Sequence, residues 1–261
     1  MWLKPAISDY SQPLLLSWQQ WRQGEWWRDC LARALEPHWQ TIFGHYLVHL
    51  GALSALTPNT CRIREQYYVG PKLLPAAALK EVAEAQQRQL AQVLAEISAL
   101  PFTENSIDAV FMAHQLEHHE NPHALLREVN RVLRADGHVV IAVTNPYSPG
   151  QLIRAVPAVG QYPPWQSRLF SRQRVLDWLS LMHYEEVASG YFAGGVPWSQ
   201  ERNPEQGWGW LMRSCSWAQG GYYIVARKRE WPLTPVRLHH QRQRHLRPES
   251  VTARISSVQR N

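Results

Sequence analysis

His114-Gln115-Leu116-Glu117-His118 sets two imidazoles around one carboxylate. Imidazole changes charge near neutral pH, so either histidine suits the removal of a proton from an oxygen or nitrogen nucleophile. The same H-x-x-E-H order matches a zinc-ligand spacing. Zinc would need both histidines on one helix face and a third ligand from elsewhere. Here the segment follows an apolar run and precedes Asn121-Pro122, a helix start with Asn as cap and Pro at the first position. A short turn is therefore expected, with Glu117 capping or tethering it.

The surrounding pattern alternates strands and helices. Ile107–Met112, apolar after Asp108, reads as a strand covered on both faces. After it, Leu125, Leu126, Val129, Val132 and Leu133 mark one face of a helix that Gly137 stops, and His138–Val143 forms the next strand. Upstream, strands are expected at Tyr46–Leu50, Arg62–Val69 and Val93–Ile97, with a helix through Leu79, Val82, Ala83, Gln86 and Leu90 to about Ala91. Downstream, Ser171 caps a helix to Met182, and Tyr222–Ala226 is a final strand. This order predicts an α/β fold with a mostly parallel sheet and helices on both faces.

Before the first strand, Trp27, Cys30, Leu31, Ala34 and Leu35 form a helical stripe over Glu25–Glu36, ended by Pro37. Trp18, Trp21, Trp26, Trp27 and Trp39 cluster there and are expected to pack a helix on the core rather than grip a ligand.

Charge is unevenly placed. Six arginines and one acid between Arg237 and Asn261 hold +5 of the formal +6, so the rest of the chain is nearly neutral. Nucleic-acid binding is not expected except through that basic tail, which reads as disordered. Cys30, Cys61 and Cys215 are scattered and make no disulfide framework or CxxC pair. With no leader-like start and no membrane-length apolar run, a cytoplasmic protein is expected.

The stretch Ala95–Tyr147 (LPF, S-I-D-A-V, H-Q-LEH, LLREV-N-RVL) resembles the class I S-adenosylmethionine (SAM)-dependent methyltransferases, in particular the small-molecule, methyltransferase type 11-like group. The resemblance implies a Rossmann-like fold, SAM as cofactor and a small-molecule acceptor. It implies cofactor contacts at His49, Gly51, Ala52, Glu96, Ile97, His114 and Leu116, with Glu96 on the adenine amino group. His114 and His118 would be the catalytic bases. Laid on the family's acid-x-Gly-x-Gly-x-Gly, this chain has His49, Gly51, Leu53 and Ala55, so one glycine remains. The span from Gly51 to Cys61 is too short for a full helix and two turns. The second strand ends in Tyr68-Val69-Gly70, without the family's ribose-binding acid. Asn145-Pro146-Tyr147 resembles the N-P-P-Y of amino-group methyltransferases but follows the fifth strand, where a turn is expected.

Three regions are expected: a Trp-rich helical extension over 1–45, a methyltransferase-like domain over 46–236 with an irregular insertion at 193–221, and a basic tail over 237–261. The functional expectation is methyl transfer from SAM to a small molecule. The alternatives are a non-catalytic binding or scaffold protein of the same fold and, more remotely, a zinc hydrolase using His114 and His118.

Overall fold

A computed structural model describes residues 17–21, 23–86, 90–148, 151, 168–193 and 218–230. The chain divides into Met1–Glu230 and Trp231–Asn261, and the description below concerns the first. The basic tail and most of the 193–221 insertion lie outside the described residues.

Seven strands form one sheet among the described residues: β1 (Tyr46–Leu50), β2 (Glu65–Gly70), β3 (Leu90–Leu94), β4 (Ile107–Ala113), β5 (Leu133–Thr144), β6 (Tyr184–Phe192) and β7 (Gly221–Lys228), in the order β3-β2-β1-β4-β5-β7-β6. The pairs from β3 through β5 are parallel, while β7 runs antiparallel between β5 and β6. Strand order reverses between β1 and β4, which puts the crevice of an open α/β sheet at their carboxyl ends. Gly51 and His114 stand at those two ends.

Alternate residues of the central strands feed two cores. Val48, Leu50, Val110, Met112, Val139 and Ile141 meet α4 (Pro122–Val132) and α5 (Arg172–Leu181) through Leu125, Leu126, Val129, Val175 and Leu179. Leu47, Ala109, Phe111, Ala113, Val140 and Ala142 meet α1 (Gly24–Trp39) through Trp27, Leu31, Leu35 and Trp39. Each such aliphatic or aromatic side chain, fully buried, contributes roughly 1.5–3 kcal/mol. Trp18, Trp21, Trp27 and Trp39 thus pack as core, with the half-buried Trp26 against them.

The helix caps match the residue types. Asn121 Oδ1 accepts from Ala124 N at the start of α4, and Ser171 Oγ accepts from Arg174 N at the start of α5. Motif residues on α4 brace the loop ahead of β4. Glu128 accepts from Leu100 N at 2.8 Å, while Arg131 donates to the Leu100 and Phe102 carbonyls. The L-P-F and R-E-V-N-R-V-L signatures are therefore two halves of one structural brace.

Several boundaries differ from the sequence reading. α1 continues through Pro37 to Trp39, because proline removes only one backbone donor there and Trp39, 1% exposed, anchors the last turn. α3 (Ala76–Gln86) ends earlier than expected, and β3 begins at Leu90. α4 stops at Val132, and β5 starts at once at Leu133, with an irregular register to β4 before His138. β6 was not read from the sequence. It is an edge strand with little apolar alternation, so the signal was weak. No helix among the described residues is long and apolar enough to cross a membrane.

Candidate active site

The helix after β1 is reduced to one turn, α2 (Ala52–Ala55), as the short span to Cys61 required. Gly51 enters it at φ +78, a conformation that L side chains rarely adopt. A Cβ built there would lie 2.0 Å from Gln115 Nε2 and 2.4 Å from its Cδ. The carboxamide of Gln115 thus sits in the space that Gly51 leaves. Leu53, where the family pattern has glycine, is fully buried, and its carbonyl accepts a hydrogen bond from Trp18 Nε1 at 3.0 Å.

His49 is 1% exposed, and both ring nitrogens are engaged, Nδ1 with Ser54 O at 3.2 Å and Nε2 with Gln66 Oε1 at 2.9 Å. Burial pushes its pKa down to about 4 against those two hydrogen bonds, so it is a neutral structural imidazole joining β1, α2 and β2. His49, expected to contact the cofactor, offers no spare nitrogen. Ala52, Ile97 and Leu116 are buried as well. Glu96 is exposed just past β3, the one cofactor position reached freely from solvent.

At the end of β4 the chain turns sharply. His114 takes φ +57, a left-handed conformation costing a residue with a Cβ roughly 1–2 kcal/mol. Its backbone N–H donates to Ala142 O at 2.8 Å. Its Nδ1 lies 2.7 Å from Glu117 Oε1, and both side chains are wholly buried. Glu117 accepts two further bonds from one residue of β5: Thr144 Oγ1 to Oε1 at 2.6 Å and Thr144 N to Oε2 at 2.7 Å. Burial alone would raise the Glu117 pKa, but His114, His118 and the Thr144 hydroxyl together lower it. Glu117 tethers the turn, as its position suggested.

The other edge of the His114 ring is enclosed by aromatics. Ring centroids of Trp21, Trp18, Trp27 and Phe192 lie 4.4, 5.6, 6.0 and 6.4 Å away. His114 Nε2 is buried with no hydrogen-bond partner. His118 differs. It is half-buried, but both its ring nitrogens are withdrawn from solvent and unpartnered. Burial, reinforced by His114 and Arg168 and opposed by Glu117, pushes its pKa down to about 4. The turn (residues 116–118) is not a helix, and no three metal-binding side chains converge among the described residues. Asn145-Pro146-Tyr147 forms a turn: Asn145 Oδ1 accepts from Tyr147 N, and Asn145 Nδ2 donates to Gln219 O.

Sequence reasoning placed Gln115 in the segment after β4 but not in the Gly51 cradle, and missed Thr144 and Phe192 as neighbours of this site. Neither carried a local signal, because both arrive through the sheet register.

Strand order, a glycine turn after β1 and a loop after β4 at the switch point define the Rossmann-like methyltransferase fold. The chain belongs to the class I SAM-dependent methyltransferase family. A family profile described as "Methyltransferase domain" matches residues 60–141, which begins beyond the Gly51 turn. The chain is 34% identical over 234 residues, 89% of its length and 88% of the other's, to the uncharacterized protein YafS of Escherichia coli. Among solved structures it is similar to a SAM-dependent methyltransferase of Thermotoga maritima, described as a possible histamine N-methyltransferase (TM-score 0.53, 16% identity, 81% and 99% of the two chains). It is also similar to a geranyl diphosphate methyltransferase in complex with SAM (TM-score 0.52, 16% identity, 76% and 84%).

Whether the residues fit SAM divides along the crevice. On the adenine side the Glu96 carboxylate beyond β3 is exposed and open to a ligand's amino group. On the methionine side Gly51 leaves a cradle that a Cβ would fill, and its present occupant is a primary carboxamide on a flexible side chain. A cofactor entering that cradle would have to displace the Gln115 carboxamide.

Proposed function

We propose that this protein is a SAM-dependent methyltransferase acting on a small-molecule acceptor. The observation that carries the reading is the pairing, at the switch point of the sheet, of the Gly51 cradle with the buried His114 that follows β4. When bound, SAM supplies an electrophilic methyl group. The residues that would hold it are Gly51 and Ala52 at the methionine part and Glu96 and Ile97 at the adenine. His114 and Leu116 would lie beside the sulfonium. The protein's contribution is proximity and alignment, with a histidine to take the acceptor's proton. Of the two candidate bases, His114 is oriented by a carboxylate and His118 is not, so His114 carries the role in this reading. His49 is left to architecture.

A second reading has a specific observation behind it. Gln115 fills the Gly51 cradle and β2 lacks a terminal acid, as suits a non-catalytic binding or scaffold member of the fold. Calorimetric titration with SAM and S-adenosylhomocysteine separates the two. Micromolar binding supports the enzyme. A dissociation constant weaker than about 1 mM, only ~4 kcal/mol for so large a ligand, turns the assignment to the second.

A further inference from the structure

We propose that Glu117 and Thr144 are positioning residues that fix His114 as an Nε2 proton acceptor, and that the Trp18–Trp21 turn is the cover over that atom. The inference rests on the methyl-transfer reading above for its reaction, but not for its geometry.

The proton's place follows from the partners. Glu117 Oε1 accepts from the Thr144 hydroxyl and Oε2 from the Thr144 amide, so both carboxylate oxygens act as acceptors. Oε1 faces His114 Nδ1 at 2.7 Å, and that bond requires Nδ1 to carry the hydrogen. A neutral imidazole protonated at Nδ1 has a bare lone pair at Nε2. Thr144 spends its hydroxyl hydrogen on Oε1 and its backbone N–H on Oε2, so the carboxylate cannot rotate away. Nε2 itself is buried and unpartnered. A buried acceptor left unmatched is costly, and here it is paired with a residue kept in left-handed backbone. Strain and an unmet lone pair at one residue mark a site shaped for something other than packing.

The cover is small. Trp18–Gln20 is one 3-10 turn, capped by Ser17 and followed by Trp21. Trp18 is pinned by its indole N–H to Leu53 O, and Trp21 Nε1 makes no hydrogen bond. The turn lies against α1 at Gly24, where a Cβ would fall 1.7 Å from Trp18 O. Lifting it breaks the Trp18 Nε1–Leu53 O bond, brings the buried Trp18 and Trp21 rings into solvent and uncovers His114. In the reaction the acceptor's O–H or N–H bond breaks and its proton goes to His114 Nε2. The freed electron pair forms the bond to the transferred methyl carbon, and the carbon–sulfur bond breaks with its pair left on sulfur. Glu117 balances the imidazolium that results, and the proton leaves to solvent when the cover opens.

The test uses the full chain without cofactor. Side-chain 15N correlation spectra of wild type should show His114 protonated at Nδ1 and bare at Nε2, and Glu117→Gln should abolish that single tautomer while His49 is unmoved. Diethyl pyrocarbonate, which acylates an unprotonated imidazole nitrogen, should label His114 at Nε2 roughly tenfold faster in Trp18→Ala than in wild type, as for an eased local opening. An Nε2-protonated His114, or a tautomer indifferent to Glu117→Gln, overturns the relay. His114 staying unlabelled in folded Trp18→Ala overturns the cover. Failure of SAM to bind while both results hold removes the methyl-transfer reading alone.

Discussion

Thr144 spans the carboxylate of Glu117, its hydroxyl on one oxygen at 2.6 Å and its backbone N–H on the other at 2.7 Å. This locks the loop after β4 onto the last residue of β5. A short polar residue at the end of one strand therefore sets the geometry of a histidine at the end of its neighbour.

Glu117→Ala should be strongly destabilising. It strands a buried Thr144 N–H and His114 Nδ1 together, and breaking a buried pair costs about 3–5 kcal/mol. Urea denaturation should show the midpoint falling, with hydrogen exchange at the Thr144 amide accelerating ahead of the central strands. A loss under about 1 kcal/mol would mean water reaches the site freely.

Gln115→Ala should tighten binding of SAM and S-adenosylhomocysteine by roughly fivefold, because the ligand no longer displaces a carboxamide worth about 1 kcal/mol in contacts. Calorimetry against wild type reads this directly. Weaker binding by the variant would make Gln115 a ligand contact instead of an occupant of the cradle.

Glu96→Ala tests the other end of the crevice. Its carboxylate is exposed, so the loss in SAM affinity should be at the low end of a charged hydrogen bond, about 1 kcal/mol. An unchanged titration would leave Glu96 as a surface residue.

Acid should destabilise the fold through two histidines. His49 and His118 are held near pKa 4, below the ordinary 6.5 of an unfolded chain. A depressed folded pKa means that the contribution is whole above about pH 6.5 and fades as pH falls toward 4. Each contributes at most roughly 3 kcal/mol across that window. Denaturation midpoints measured from pH 7 to pH 4 should fall steeply, and His118→Phe should flatten the slope. A slope unchanged in that variant would show that His118 protonates without penalty.

Gly24→Ala should disturb the cover more than the sheet. The added carbon would collide with the Trp18 carbonyl, a backbone atom that cannot swing aside, at a cost of about 1–3 kcal/mol. Tryptophan emission should shift to the red as the Trp18–Trp21 turn loosens, while far-ultraviolet circular dichroism stays near wild type. Unchanged emission would mean that the turn absorbs the extra carbon.

The architecture was legible because it is written in local chemistry. Asn121, Ser171 and the apolar stripes of α1, α4 and α5 name their own roles through capping and periodicity. The brace of Glu128 and Arg131 onto Leu100–Phe102 explains why the most recognisable words of the sequence report fold more than activity. The site was less legible, because its geometry comes from contacts across strands. Nothing in the sequence around Thr144 or Phe192 points to residue 114. His49 looked like a cofactor residue by position, and only the Gln66 and Ser54 partners assign it to structure. The brevity of α2 was legible by counting. That Trp18 would bond the carbonyl of Leu53 was not, since it joins segments distant in the chain.

The placement of β7 between β5 and β6 has a consequence during synthesis. When Leu133–Thr144 leaves the ribosome, one edge of β5 has no partner until Gly221–Lys228 is made. At ~5–20 residues per second, that apolar edge stays open for roughly 4–15 s while residues 145–220 are translated. The Val139–Val143 segment is then a bare template for pairing with another nascent chain. A cell making this protein quickly would depend on its chaperones at that point of translation.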